Sequence, residues 1–346
     1  SIVAEVVDPE KLQEILNNST SINIGKTTKD KIISIKNLDI SIELDEVKEL
    51  ITKKLRNVFD YKTNILNKKA IDAPLYVNDK PLRSPVRIKE PKVVIPVFPG
   101  TNCEFDSQLA FEKAGAIVKQ VLIKDLNKDL LLESINELAD AIDESQILMI
   151  PGGFSAGDEP DGSAKFIVNI FKNQLVKDAV HRLIARKGLI LGICNGFQAL
   201  IKLGLVPYGK IMDAVETMPT LTYNDIHHHV SELVRTKLIS NKSPWFSLLT
   251  PGSINTVPIS HGEGKLVCDK KLLKQLLKSG QIPTQYVDLS GSSTMAMPFN
   301  PNGSVLAIES MTNEDGTILG KMAHSERIGE HLYKNVNGEF DQKIFE

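Results

Sequence analysis

From Lys92 onward, short uninterrupted apolar runs alternate with stretches of helical spacing, and nothing else in the chain restricts its fold so tightly. Val93–Phe98 is continuously apolar and ends at Pro99-Gly100; Ile117–Ile123, Ile147–Ile150 and Gly188–Ile193 repeat the pattern. Runs this short, bounded by turn residues, predict strands buried on both faces. Phe105–Ala114, Leu130–Ile142, Ala164–Ala185 and Asn195–Leu203 carry apolar residues at helical spacing between them. Strands spaced by helices predict an α/β fold with a mostly parallel sheet flanked by helices. Further on, Lys237–Ile239, Gly264–Val267, Ser304–Glu309 and Thr317–Met322 read as strands with few helices between them. Trp245 and Phe246 read as core or interface anchors.

The first 91 residues have a different texture. Ser1–Val7 and Lys31–Ile35 read as strands around a helical Pro9–Asn17, and Ile42–Phe59 has helical spacing. Lys62–Pro91 carries Pro74, Pro81, Pro85 and Pro91 and reads as an extended linker. Residues 1–40 thus form a small partial α+β module, residues 41–91 a helix with linker, and residues 92–346 the main domain.

Charge and cysteine usage narrow the function classes. Lysine plus arginine number 41 against 43 acidic residues, for a net charge of −2, which argues against a nucleic-acid partner. No apolar run approaches the ~20 residues of a spanning helix, and no signal-peptide core is present, which argues against a membrane partner. Cys103, Cys194 and Cys268 are too few and too scattered for a disulfide framework, so a cytoplasmic, reducing setting is expected.

Chemistry concentrates at Gly192-Ile193-Cys194-Asn195-Gly196. A nucleophile between small residues, placed where a buried strand turns into a helix, is the pattern of a nucleophile elbow. The helix N-terminus favours the thiolate of a cysteine held there. A thiol nucleophile needs a base and the base an orienting partner. His324 and Glu326 lie just beyond the strand Thr317–Met322 and, two apart in an extended segment, share one side. Pro151-Gly152-Gly153-Phe154-Ser155 follows a strand end, and its Gly153 N–H together with that of Asn195 would suit an oxyanion hole. His261, in a glycine-flanked loop, and Gln198, one turn beyond Cys194, are candidates for the pocket lining. His227-His228-His229 does not make a metal site, because adjacent histidines project in different directions and no other ligands complete the set.

These segments carry a resemblance. Gly192–Gln198 (GICNGFQ), the Gly-Gly loop and the late His-x-Glu resemble the class I, triad-type glutamine amidotransferases, whose fold is flavodoxin-like. Phe98–Cys103 (FPGTNC), Gly152–Asp158 (GGFSAGD), Pro258–Gly264 (PISHGEG), Asn302–Ile308 (NGSVLAI) and Gly320–Arg327 (GKMAHSER) narrow it to the glutaminase domains of phosphoribosylformylglycinamidine synthases. One departure is Ser325, where many members carry proline. The resemblance implies Cys194, His324 and Glu326 as the triad, Gly153 and Asn195 as the oxyanion hole, and Gly152, Phe154, Gln198 and His261 as substrate-binding residues. It implies L-glutamine as substrate, residues 92–346 as the glutaminase domain, and residues 1–40 as the tail of the synthetase part. It also implies that synthetase part as partner, with no metal or cofactor in this chain and ATP and Mg belonging to the synthetase. Ammonia from glutamine would serve conversion of formylglycinamide ribonucleotide to the formylglycinamidine in purine biosynthesis. Two other readings are a non-catalytic docking or regulatory domain and another cysteine-elbow hydrolase. The second usually carries its histidine directly after the cysteine, where this chain has Asn195.

Overall fold

The structure is a computed structural model that describes residues 3–16, 21–53, 71–79, 88–157, 164–329 and 332–346. The chain divides into two units, Ser1–Asp60 and Tyr61–Glu346. In the first, helix α1 (Pro9–Leu16) starts where Asp8 accepts hydrogen bonds from the Glu10 and Lys11 amides at 3.2 and 3.1 Å, with Pro9 as its first residue. Strand β1 (Ile32–Ile35) pairs antiparallel with β2 (Ile40–Glu43), which leads into α2 (Leu44–Lys53). Sequence periodicity placed Ile42 in the helix; the structure puts it in β2 opposite Ile33. Val3–Val7 is not a strand, because the described residues offer it no partner and β1 takes β2 instead. The expected helical residues Asn17 and 54–59 lie outside the described residues.

The second unit carries a six-stranded sheet. In chain order its parts are β3 (Lys92–Val97), α3 (Glu104–Lys113), β4 (Ile117–Leu122), α4 (Lys128–Glu144), β5 (Ile147–Ile150), α5 (Lys165–Lys172), α6 (Gln174–Ala185), β6 (Leu189–Ile193), α7 (Asn195–Leu203) and the short turn α8 (Leu205–Tyr208). Three further strands follow, β7 (Thr220–Thr222), β8 (Val230–Leu238) and β9 (Ile254–His261). The chain then runs through β10 (Lys265–Val267), α9 (Lys270–Lys278), β11 (Thr284–Val287), β12 (Ser310–Thr312) and β13 (Ile318–Lys321). The spatial order is β12-β13-β6-β5-β3-β4, parallel throughout except for the antiparallel β12. The five parallel strands follow the 2-1-3-4-5 order of flavodoxin-like sheets, in which ligands sit at the carboxyl ends of the strands. Pro96, lacking an amide donor, is tolerated because β5 pairs only with Val93 and Val94, so Pro96 needs a neighbour on the β4 side alone.

The long helix expected over Ala164–Ala185 is two helices. Asn173 leaves the helical region (φ −57°, ψ 136°) and accepts a hydrogen bond from the Leu175 amide, ending α5 and capping α6. The expected strand Ser304–Glu309 is a short 3-10 turn over Val305–Ala307, with Leu306 and Ala307 at positive φ; the strand begins at Ser310. A second sheet, β11-β8-β9, is antiparallel, and β7 pairs with β10 beside it. Trp245 and Phe246 are buried. Residues 71–79 run extended along this layer: the Ile71 amide donates to the Ser293 carbonyl at 2.8 Å, and Tyr76 bridges Ser240. No helix among the described residues is long and apolar enough to cross a membrane.

Candidate active site

The turn from β6 into α7 sets Cys194 at φ 53°, ψ −105°, a conformation that costs an ordinary residue roughly 1–3 kcal/mol. What holds it is packing on both sides. The Cys194 amide donates to the Lys321 carbonyl on the neighbouring strand at 2.8 Å, and its carbonyl accepts from the Gln198 amide at 3.0 Å. Two residues on, a Cβ at Gly196 would lie 2.8 Å from the carbonyl carbon of Ile150 and closer still to its oxygen, so only glycine lets α7 start this near β5.

His324 and Glu326 follow the end of β13. The ring's Nδ1 lies 2.7 Å from a Glu326 carboxylate oxygen, with both side chains buried. A carboxylate only accepts, so Nδ1 carries the proton of this hydrogen bond. The ring's Nε2 has no hydrogen-bond partner among the described residues. The thiol and the ring meet at Gly152: a Cβ there would stand 2.8 Å from His324 Cε1, 3.4 Å from Cys194 Cβ and 3.0 Å from Cys103 Sγ. The thiol of Cys194 itself donates to the Ser260 carbonyl at 3.5 Å, which brings the end of β9 over the site.

The remaining candidates frame this centre. Gly153 lies against Thr101 in an antiparallel bridge whose hydrogen bonds are made by the Asn102 and Phe154 amides, leaving the Gly153 N–H outside the bridge. The Asn195 amide is among the first of α7, where helical N–H groups have no partner in their own helix. The Asn195 side chain accepts from the Ser155 amide at 3.3 Å and donates to Gln198 Oε1 at 2.9 Å; Gln198 Nε2 donates to the Glu263 carbonyl at 2.6 Å. Both ends of the Gln198 amide are therefore engaged by protein, and the three loops are tied together. Phe154 is half-buried, its ring 6.1 Å from that of His229.

His261 is fully buried, and burial together with the nearby His324 and His229 pushes its pKa down to about 3. Asn224 fixes its orientation. The Asn224 oxygen accepts from the Gly264 amide at 3.1 Å and lies 3.2 Å from His261 Nδ1, while its nitrogen donates to the carbonyls of His228 and His261. His229 Nε2 lies 2.9 Å from Ser260 Oγ and His228 Nδ1 3.0 Å from the His229 carbonyl, so these adjacent rings serve separate contacts.

Cys103, at the turn after β3, also comes to this centre. Its Sγ lies 3.9 Å from His324 Nδ1 and receives a hydrogen bond from Arg327 Nη2 at 3.2 Å. Burial and the neighbouring Glu326 push its thiol up to about 12. Cys103, His324 and Glu326 have ligand-type atoms within 4.8 Å of one another. The His–Glu hydrogen bond and the Arg327 contact already occupy those atoms, and the guanidinium charge opposes a cation. A cleft of about 530 Å³ opens on the far side of Glu326, walled by α3 and by Tyr333, Phe340 and Phe345; neither Cys194 nor His324 lines it.

A strained cysteine at a strand-to-helix turn, a histidine–glutamate pair and a glycine loop, all at the carboxyl edge of a flavodoxin-like sheet, define the glutamine amidotransferase class. Residues 90–346 match the family described as CobB/CobQ-like glutamine amidotransferase domain. Within that class, the chain belongs to the family of phosphoribosylformylglycinamidine synthase PurQ subunits. It is 38% identical to that subunit of Methanococcus maripaludis over 260 residues, covering 73% of this chain and 88% of the relative. With the same-named subunit of Sulfurimonas denitrificans it shares 33% identity over 247 residues, covering 71% of this chain and 95% of the relative. Among solved structures, PurLQS from Thermotoga maritima is similar with a TM-score of 0.53 at 25% identity, covering 74% of this chain and 96% of that one.

Proposed function

We propose that this chain is the glutaminase of a phosphoribosylformylglycinamidine synthase, hydrolysing L-glutamine to glutamate and ammonia through a Cys194 thioester. The observation that carries the reading is the His324–Glu326 pair, at 2.7 Å, with its ring set against the same glycine as the strained Cys194. His324 Nε2 takes the thiol proton as Sγ attacks the carboxamide carbon, and Glu326 stabilises the imidazolium. The amide N–H groups of Gly153 and Asn195 receive the oxyanion. Collapse of the tetrahedral intermediate breaks the C–N bond, and the imidazolium hands its proton to the departing ammonia. Water, deprotonated by the same Nε2, then splits the thioester. Gly152, Phe154 and His261 line the surroundings of the bound amino acid, with Gln198 holding the loops that do so.

This half-reaction is complete with these side chains. ATP and Mg²⁺ belong to the synthetase part, the partner that consumes the ammonia, and a cytoplasmic location suits that pathway. The Thermotoga maritima structure, titled PurLQS, supports such an assembly. The test is covalent labelling of the folded chain with a glutamine-mimicking electrophile, located by peptide mass spectrometry. Labelling of Cys194 that L-glutamine blocks, with glutamine hydrolysis lost on Cys194→Ala, is the expected result. Unchanged hydrolysis by Cys194→Ala overturns the reading.

A further inference from the structure

Directly beneath the candidate triad lies an ion pair closed off from solvent. Lys321 Nζ stands 3.3 Å from Glu309 Oε1, and both side chains are fully buried. A buried pair of this kind contributes little net stability, since both ions must be dehydrated. Its geometry, however, is directed at one peptide segment. Lys321 Nζ donates to the Ala323 carbonyl at 2.6 Å, and Glu309 Oε1 accepts from the Ala323 amide at 2.8 Å. The two charges therefore grip Ala323 from both sides, and the next residue is His324. The carboxylate is fixed in turn: its other oxygen accepts from Thr284 Oγ1 at 2.5 Å, on β11, and the Glu309 carbonyl accepts from the Met322 amide at 3.3 Å. On the other side, the backbone carbonyl of the same Lys321 holds the Cys194 amide at 2.8 Å.

We infer that Lys321 and Glu309 are positioning residues that set His324 in register with Cys194. One residue reaches both members of the reacting pair, the thiol's backbone through its carbonyl and the histidine's approach through its ammonium. Past β13 the chain through Ala323 is held by this clamp, by the Met322 amide's bond to the Glu309 carbonyl and by the His324 amide's bond to the Pro258 carbonyl at 2.8 Å. A misplacement of about 1 Å between reacting groups costs about 100-fold in rate. The inference rests on the triad reading above, and its test is chosen to be readable without turnover.

The experiment compares the unaltered chain with Lys321→Met, Glu309→Gln and the double variant. Folding is checked by circular dichroism, and the rate of Cys194 alkylation by iodoacetamide is scaled to folded protein and located by peptide mass spectrometry. Kinetics on L-glutamine run alongside. Lys321→Met should slow alkylation and lower kcat by about 100-fold with KM little changed. Glu309→Gln keeps an oxygen for the Ala323 amide and should fall less. The double variant leaves no unpaired buried charge, so its melting temperature should return towards that of the unaltered chain while alkylation of the folded protein stays slow. Alkylation at the original rate in folded Lys321→Met, or in the double variant, overturns the inference. Should the unaltered chain alkylate at Cys194 yet never hydrolyse glutamine, the glutaminase reading fails, and the alkylation comparison still decides the positioning role.

Discussion

Cys103 and Cys194 stand against the same glycine, yet their surroundings give them different chemistry. Cys103 is buried beside Glu326, and Cys268 is raised to about 11 by burial and by Asp269; neither thiol ionises appreciably near neutral pH. Alkylation at pH 7.5 is therefore expected at Cys194 well ahead of both, as a peptide map at low conversion would show. His261 gives a second prediction at this scale. Its pKa is lowered from 6.5 to about 3 in the fold, so the unfolded chain takes up a proton first as the medium is acidified. The stability it contributes is present above pH 6.5 and is lost as pH falls towards about 3. His261→Gln should show a shallower loss of melting temperature over that acid range than the unaltered chain; an equal or steeper loss refutes it. Cys194 was legible because an elbow is written in five consecutive residues. The ring of His324 finds Cys103, and Lys321 finds Glu309, only after β3, β12 and β13 have been gathered into one sheet, and no local pattern announces that.

At the scale of elements, the sheet was readable where strands are buried on both faces, since a run such as Ile147–Ile150 admits little else. The break at Asn173 was missed because apolar spacing continues across it, and the cap is a backbone event carried by one side chain. Asn173→Ala should cost about 1 kcal/mol in chemical denaturation, the usual value of a lost helix cap. The small β7–β10 pair was half legible: Gly264–Val267 reads as a strand and is β10, whereas β7, three residues long, is too short for alternation to speak. Ser325 illustrates the same limit. Its hydroxyl donates to Gln342 at 2.5 Å, and Gln342 reaches Thr236 on β8 at 3.1 Å, so the C-terminal segment is tied down where a proline could offer no bond. By contrast, the α7–β5 contact was implicit in Gly196. Gly196→Ala forces a methyl group into the Ile150 carbonyl and should destabilise by about 3 kcal/mol with loss of Cys194 labelling, measured by denaturant midpoint and mass spectrometry.

For the whole molecule, the two units differ in kind. In Ser1–Asp60 none of the described side chains is buried, and Ile33, Ile35, Leu38 and Ile51 stand open to solvent, whereas Tyr61–Glu346 has a large buried core with a second, smaller apolar cluster. Removing residues 1–60 should accordingly leave the main unfolding transition of the remainder at its original denaturant midpoint; a marked fall would mean that the first unit supports the second. The change of texture near Pro91 marked the start of the sheet, but the docking of residues 71–79 through Ile71 and Tyr76 depends on partners more than 160 positions away. The sheet itself has a further consequence. Val94, Leu148, Met149, Leu191 and Leu319 are wholly enclosed, a layer of apolar side chains in the sheet that carries the cysteine. A small neutral molecule set free at the cysteine meets these close-packed side chains on the sheet side. On the proposed reaction, the ammonia released there would leave across the loop rim rather than through that layer.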